Sequence, residues 1–191
     1  AGSQALSHIG AQAVSSGVVA RLQLLEGGDA PLSALPDVEF ARVVGDVVAQ
    51  VRDELLVEAS KEGVEISALS CTLVGAVATA TGGRFFHIGD GLAVAESVDA
   101  AAVVSLPENG EYANETYFVS GEQWHEHLRF TAFAESATRI ALMSDGAMPF
   151  ALAKGNGGLF KPFMDPVEGY LASVTEEEGS AALAGTLGDP R

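Results

Sequence analysis

At 191 residues the chain is long enough for one large domain, and its 48% hydrophobic content can fill a packed core, which argues against disorder. With 26 acids against 10 bases, the formal charge of −16 repels phosphate backbones and anionic membrane surfaces, so nucleic acid and membrane are excluded as natural partners. No apolar run approaches the roughly 20 residues of a membrane span, and Cys71, the lone cysteine, lies in an apolar stretch and rules out an intrachain disulfide; a soluble protein of the reducing cytoplasm is expected.

In chain order, Leu6, Ile9, Ala13, Ala20 and Leu24 recur at helical spacing and predict a first helix over residues 3–26, ended by Gly27 and Gly28. Asp37 is the expected N-cap of a second helix, in which Ala41, Val44, Val48, Val51 and Leu55 form the apolar stripe and Gly63 closes the run. The pattern then turns to sheet. Residues 69–81 read as a strand covered on both faces, and Gly82-Gly83 as the tight turn into a partner strand over 84–88. Further strands are expected at 92–96, 101–106, 116–120, 128–134 and 139–144, with consecutive strands pairing antiparallel. A short helix at 147–153, a glycine-rich flap at 155–158 and helices over 161–174 and 176–187 complete the order. Helices on either side of a strand block predict an α+β protein, layered with helices over packed sheets, and no linker or repeat divides it.

Two stretches share one shape. Ile140 to Gly146 and Phe85 to Gly91 are each a short apolar run that ends abruptly in an acid beside glycine, Asp145 in the first and Asp90 in the second. Two carboxylates delivered by strands to one mouth of a sheet core can share a hard divalent cation. Other polar motifs carry less chemistry. The histidines of His125-Glu126-His127 stand two apart with no third ligand following, so a solvated loop is expected instead of a zinc site. His87, between Phe86 and Ile88, reads as a satisfied strand histidine, and the glycines at 155–158 lack the Lys-Ser/Thr of a nucleotide loop.

These stretches, taken in register, resemble the metal-dependent serine/threonine phosphatases of the protein phosphatase 2C family, bacterial branch. The residues that carry the likeness are Ala1-Gly2-Ser3 with the run 6–13, Gly89-Asp90-Gly91, Glu111 to Thr116, and Met143-Ser144-Asp145-Gly146. The resemblance implies a four-layer α-β-β-α sandwich of two antiparallel sheets flanked by helices, with two or three manganese or magnesium ions at one end. It also implies hydrolysis of phosphoserine and phosphothreonine in proteins by a metal-bridging water, with no phosphoenzyme. By position, Asp145 is similar to a ligand of the central metal pair and Asp90 to the acid that holds a third ion. A phosphoprotein, the target of a cognate Ser/Thr kinase, is the partner so implied. Asn114-Glu115-Thr116 fits the register without a derivable chemical role, and its glycosylation sequon is incidental.

The family pattern also places a metal-binding Asp-Gly just before Ala1, a further acid and an arginine upstream, and a last aspartate beyond Arg191; Asp189-Pro190-Arg191 does not match that last motif. Residues 1–191 are therefore expected to form a single phosphatase-2C-like domain lacking its N-terminal and C-terminal metal-binding segments, holding manganese weakly and turning over little by itself. A non-catalytic phosphatase-like module that binds a partner is the alternative, and an unrelated acidic α/β binding domain the third reading.

Overall fold

The computed structural model of the protein describes residues 4–108 and 116–187. Its first helix, α1 (Ser7–Glu26), buries Gly10, Val14, Val18 and Leu22, whereas Leu24 is 78% exposed. The buried stripe is therefore rotated from the expected one. Gly10 explains the shift: a Cβ there would sit 1.9 Å from the Leu69 carbonyl oxygen, so only glycine lets the helix backbone press against the 66–69 turn. The second helix, α2 (Asp37–Glu62), buries Phe40, Val44, Val48, Val51, Leu55 and Ala59 and ends at Gly63 with φ +67°, as its periodicity and glycine predict.

Asp37 is not the N-cap. Pro36 occupies that position, and the Asp37 carboxylate instead accepts a hydrogen bond from Arg84 Nε at 2.9 Å. The same guanidinium donates to the Leu35 carbonyl at 2.9 Å and lies 4.8 Å above the Phe40 ring, tying the start of α2 to the sheet.

Six strands form two three-stranded antiparallel sheets. They are β1 (Leu73–Thr79), β2 (Gly82–Ile88), β3 (Leu92–Glu96), β4 (Val103–Ser105), β5 (Arg129–Phe133) and β6 (Arg139–Met143). Sheet one has the order β1-β2-β5 and sheet two the order β4-β3-β6. In the β1-β2 hairpin Thr79 pairs with Gly82, so the turn is Ala80-Thr81 and the two glycines lie inside the strand. Packing accounts for them: a Cβ on Gly83 would come 2.4 Å from the Phe133 ring. The expected strand at 116–120 does not form; that segment is held instead by the Val119 N–H, which donates to the Cys71 carbonyl at 3.0 Å.

Alternation along β2 and β3 builds the layers. Phe86 and Ile88 face α1 and α2, in a cluster with Val14, Val48 and Leu55, while Phe85 meets Ala93, Ala95 and Phe133 between the sheets. Leu92 and Val94 point to the far side, against Leu159, Met148 and Met164. On that side Met148 belongs to α3 (Met148–Ala151) and Met164 to α4 (Lys161–Leu171), and α5 (Glu176–Leu187) packs against α4. The result is the expected α+β sandwich, with α1 and α2 side by side over sheet one. No helix among the described residues is long and apolar enough to cross a membrane.

Candidate metal centre

Consecutive strands β2 and β3 do not pair. Gly89-Asp90-Gly91 is the corner at which the chain leaves sheet one for sheet two, which differs from the hairpin its glycines allow in the sequence. Gly89 has φ +98°, and a Cβ on it would lie 2.7 Å from the Tyr117 carbonyl oxygen and 2.5 Å from Thr72 Cγ2. Only glycine makes this bend with the 116–120 segment so close. A Cβ on Gly91 would come within 3.0 Å of the Met143 carbonyl oxygen, so β6 runs directly alongside.

The register of sheet two relates the two acids. Leu92 pairs with Met143 as the last rung of the β3-β6 ladder, and Asp90 and Asp145 each lie two residues beyond it. In an antiparallel pair that is one end of the sheet. Asp90 is half-buried and its Oδ2 accepts a hydrogen bond from Thr116 Oγ1 at 2.9 Å. Asp145 is exposed and opens the single 3-10 turn Asp145–Ala147. Neither Ser144 nor Asp145 spends its side chain on a cap, and a Cβ added at Gly146 would meet nothing within 4 Å. The Asp145 carboxylate thus stands unbonded in open space among the described residues.

Carboxylate oxygens are the donors that manganese and magnesium prefer, so Asp90 and Asp145 fit such an ion chemically. Two carboxylates fill only part of a shell of about six oxygens. Among the described residues, no group of three or more His, Cys, Asp or Glu side chains is assembled to hold an ion.

A polar cluster backs the Asp90 corner from between the sheets. Arg129, opposite His87 in the β2-β5 ladder, donates to the Leu106 carbonyl at 3.0 Å, lies 3.3 Å from His87 Nδ1 and pairs with Glu108 at 3.1 Å. The Glu108 N–H in turn donates to the Gly89 carbonyl at 3.2 Å. His87 is 1% exposed; burial, reinforced by the Arg129 charge, lowers its pKa to about 4 and keeps it neutral. It is a strand histidine, as expected, although only Nδ1 is partnered and its Nε2 is buried without a hydrogen bond. Nothing in the sequence pairs Arg129 with His87, because the ladder that joins them links segments 42 residues apart.

Of the other motifs, only His127 reaches this cluster, with its Nδ1 3.5 Å from the Glu108 carboxylate. His125 is exposed beside Glu126, and His127 stacks on Tyr117 with ring centroids 3.3 Å apart. The glycine-rich stretch contains the turn Lys154–Asn156, and the Leu159 N–H beyond it donates to Glu96 at 3.0 Å. Cys71 is buried, which pushes its thiol up to about 11 and keeps it protonated. Asn114 and Glu115, with the rest of 109–115, lie outside the described residues.

The model of the protein phosphatase 2C family matches residues 1–188. Serine/threonine-protein phosphatase 3 of Escherichia coli (strain K12) is 28% identical over 166 residues, which cover 87% of this chain and 63% of that protein. The chain thus spans less than two thirds of that relative's length. No solved structure matches it. With a match over nearly its whole length, the chain belongs to the protein phosphatase 2C family.

Proposed function

We propose that the protein hydrolyses phosphoserine and phosphothreonine in other proteins, with Asp145 and Asp90 holding manganese or magnesium at the end of sheet two. The observation that carries this reading is the register: two strand-delivered carboxylates two residues beyond the same rung, one of them unbonded. Family membership and the name of the E. coli relative support the reaction class. When bound, a pair of such ions supplies an acidified water as nucleophile and neutralises phosphate charge. Asp145, exposed at the strand end, offers its oxygens where a macromolecular substrate can reach them. Asp90 offers the oxygen that Thr116 leaves open. His87 is kept neutral and away from solvent, so it serves the fold and not proton transfer. The buried, protonated thiol of Cys71 suits a reducing cytoplasm, the compartment we assign.

Binding by two carboxylates is weak, so an ion held by Asp90 and Asp145 should need high manganese to load. The decisive test is hydrolysis of a phosphothreonine peptide by the protein at millimolar manganese. Asp145→Asn should lower turnover by several powers of ten, because orientation of water and phosphate depends on fixed ions. An active Asp145→Asn protein would remove the residue on which the reading is centred.

A further inference from the structure

Thr116 ends a motif that the phosphatase reading leaves without a role, yet among the described residues its hydroxyl is the one group bonded to the Asp90 carboxylate, at 2.9 Å to Oδ2. Thr116 begins a segment anchored at several points. The Val119 N–H donates to Cys71, the Ser120 and Ser70 hydroxyls bond at 2.8 Å, Arg52 donates to the Ser120 carbonyl at 3.3 Å, and Tyr117 stacks on His127. The close approach of the Tyr117 carbonyl to Gly89 fixes the distance between this segment and the corner. The hydroxyl is therefore delivered by a held backbone to a carboxylate with no other bond among the described residues.

We infer that Thr116 is a positioning residue: its hydroxyl holds Oδ2 of Asp90 so that Oδ1 faces the end of sheet two, where it can bind a divalent cation. The inference rests on the metal reading of Asp90. Its physical basis is that a charge-assisted hydrogen bond to one carboxylate oxygen removes the rotational freedom an ion would otherwise have to freeze. Partners of this kind typically change metal affinity 10–100-fold when removed.

The test uses manganese itself, with the free ion followed by its electron paramagnetic resonance signal, and thermal melting without metal as a check of folding. Thr116→Val keeps the branched shape and deletes the hydroxyl; it should raise the dissociation constant of the ion held by Asp90 about tenfold. Thr116→Ser keeps the hydroxyl and should bind within about threefold of the native protein. In an Asp90→Asn background, Thr116→Val should change manganese binding no further, since the group it acts on is gone. If valine prevents folding, Thr116→Ala takes its place in both backgrounds. Native binding by the Val variant, or equal weakening by Ser and Val, overturns the inference. An equal effect of Val with and without the Asp90 carboxylate overturns it too, because Thr116 would then act through the fold. Unchanged binding in Asp90→Asn alone is a different failure: Asp90 would not be a ligand, and the reading beneath the inference would fall with it.

Discussion

The two outer layers of the sandwich are built differently. On one side, α2 places Val44, Val48, Val51 and Leu55 against sheet one, and α1 comes close enough through Gly10 to touch backbone. On the other, α4 buries no residue at all, and Phe150, Phe160 and Tyr170 remain 45–56% exposed. The carboxylate of Asp145 belongs to the thin side. Burial by helices is thus heavier on one face, and Asp145 on the other is left accessible, which suits the site proposed for it.

The contrast is most strongly tested by Asp145→Asn, whose turnover loss of several powers of ten should come with almost no loss of stability. Asp145 makes no bond in the described structure, and removing one acid from a chain of charge −16 relieves repulsion. Melting within about 2 °C of the native protein, measured without metal, is the expected result. A fall of 8 °C or so would make Asp145 a structural residue and erase the division of labour.

Phe40→Ala is the opposite perturbation. The ring is 1% exposed, packs edge-on to Phe130 with centroids 5.9 Å apart, and lies under Arg84. Its truncation should cost about 3–5 kcal/mol in urea unfolding, and manganese affinity of the folded protein should stay near native. A cost below about 1 kcal/mol would mean that the helix-covered face is not where the fold is held.

The same contrast marks what the sequence disclosed. Helix α2 and strand β3 were legible because period and boundary agreed, and both acids were legible because an apolar strand that stops at Asp-Gly is visible locally. The division into two sheets was not. Gly89-Asp90-Gly91 has the composition of a hairpin turn, and only the pairing of β2 with β5 and of β3 with β6 shows it to be a crossing between sheets. Gly82 and Gly83 misled for a related reason: they make room for Phe133, a contact 50 residues away, and not for a turn. Thr116 and Arg129 bear on Asp90 only through such long-range contacts, so no local pattern points to them.

His87 lies between the two faces, and its effect should appear in the pH dependence. Its folded pKa of about 4 is below the ordinary value of 6.5, so on acidification the unfolded chain binds the proton first. The stability that depends on keeping it neutral is complete above about pH 6.5 and is lost as pH falls toward 4, on the order of 3 kcal/mol in all. Asn at 87 can still accept a hydrogen bond from Arg129 and does not titrate. His87→Asn should therefore flatten the decline in unfolding free energy between pH 7 and 5; an unaltered slope would assign that decline to the carboxylates.

The smallest effect is expected on the thin face. Tyr170 of α4 is 48% exposed and lines a shallow apolar groove with Phe163, Leu171 and Leu183. Much of its surface is already in water, so Tyr170→Ala forfeits only part of the area a buried aromatic would lose, about 0.5–1 kcal/mol. The contrast sharpens if the measured cost stays in that range while Phe40→Ala costs several times more in the same urea titration. A loss above about 2 kcal/mol would mean that α4 and α5 carry as much of the fold as α1 and α2. Asp145 would then sit on a face as well supported as the other, and its openness would need a cause other than thin packing.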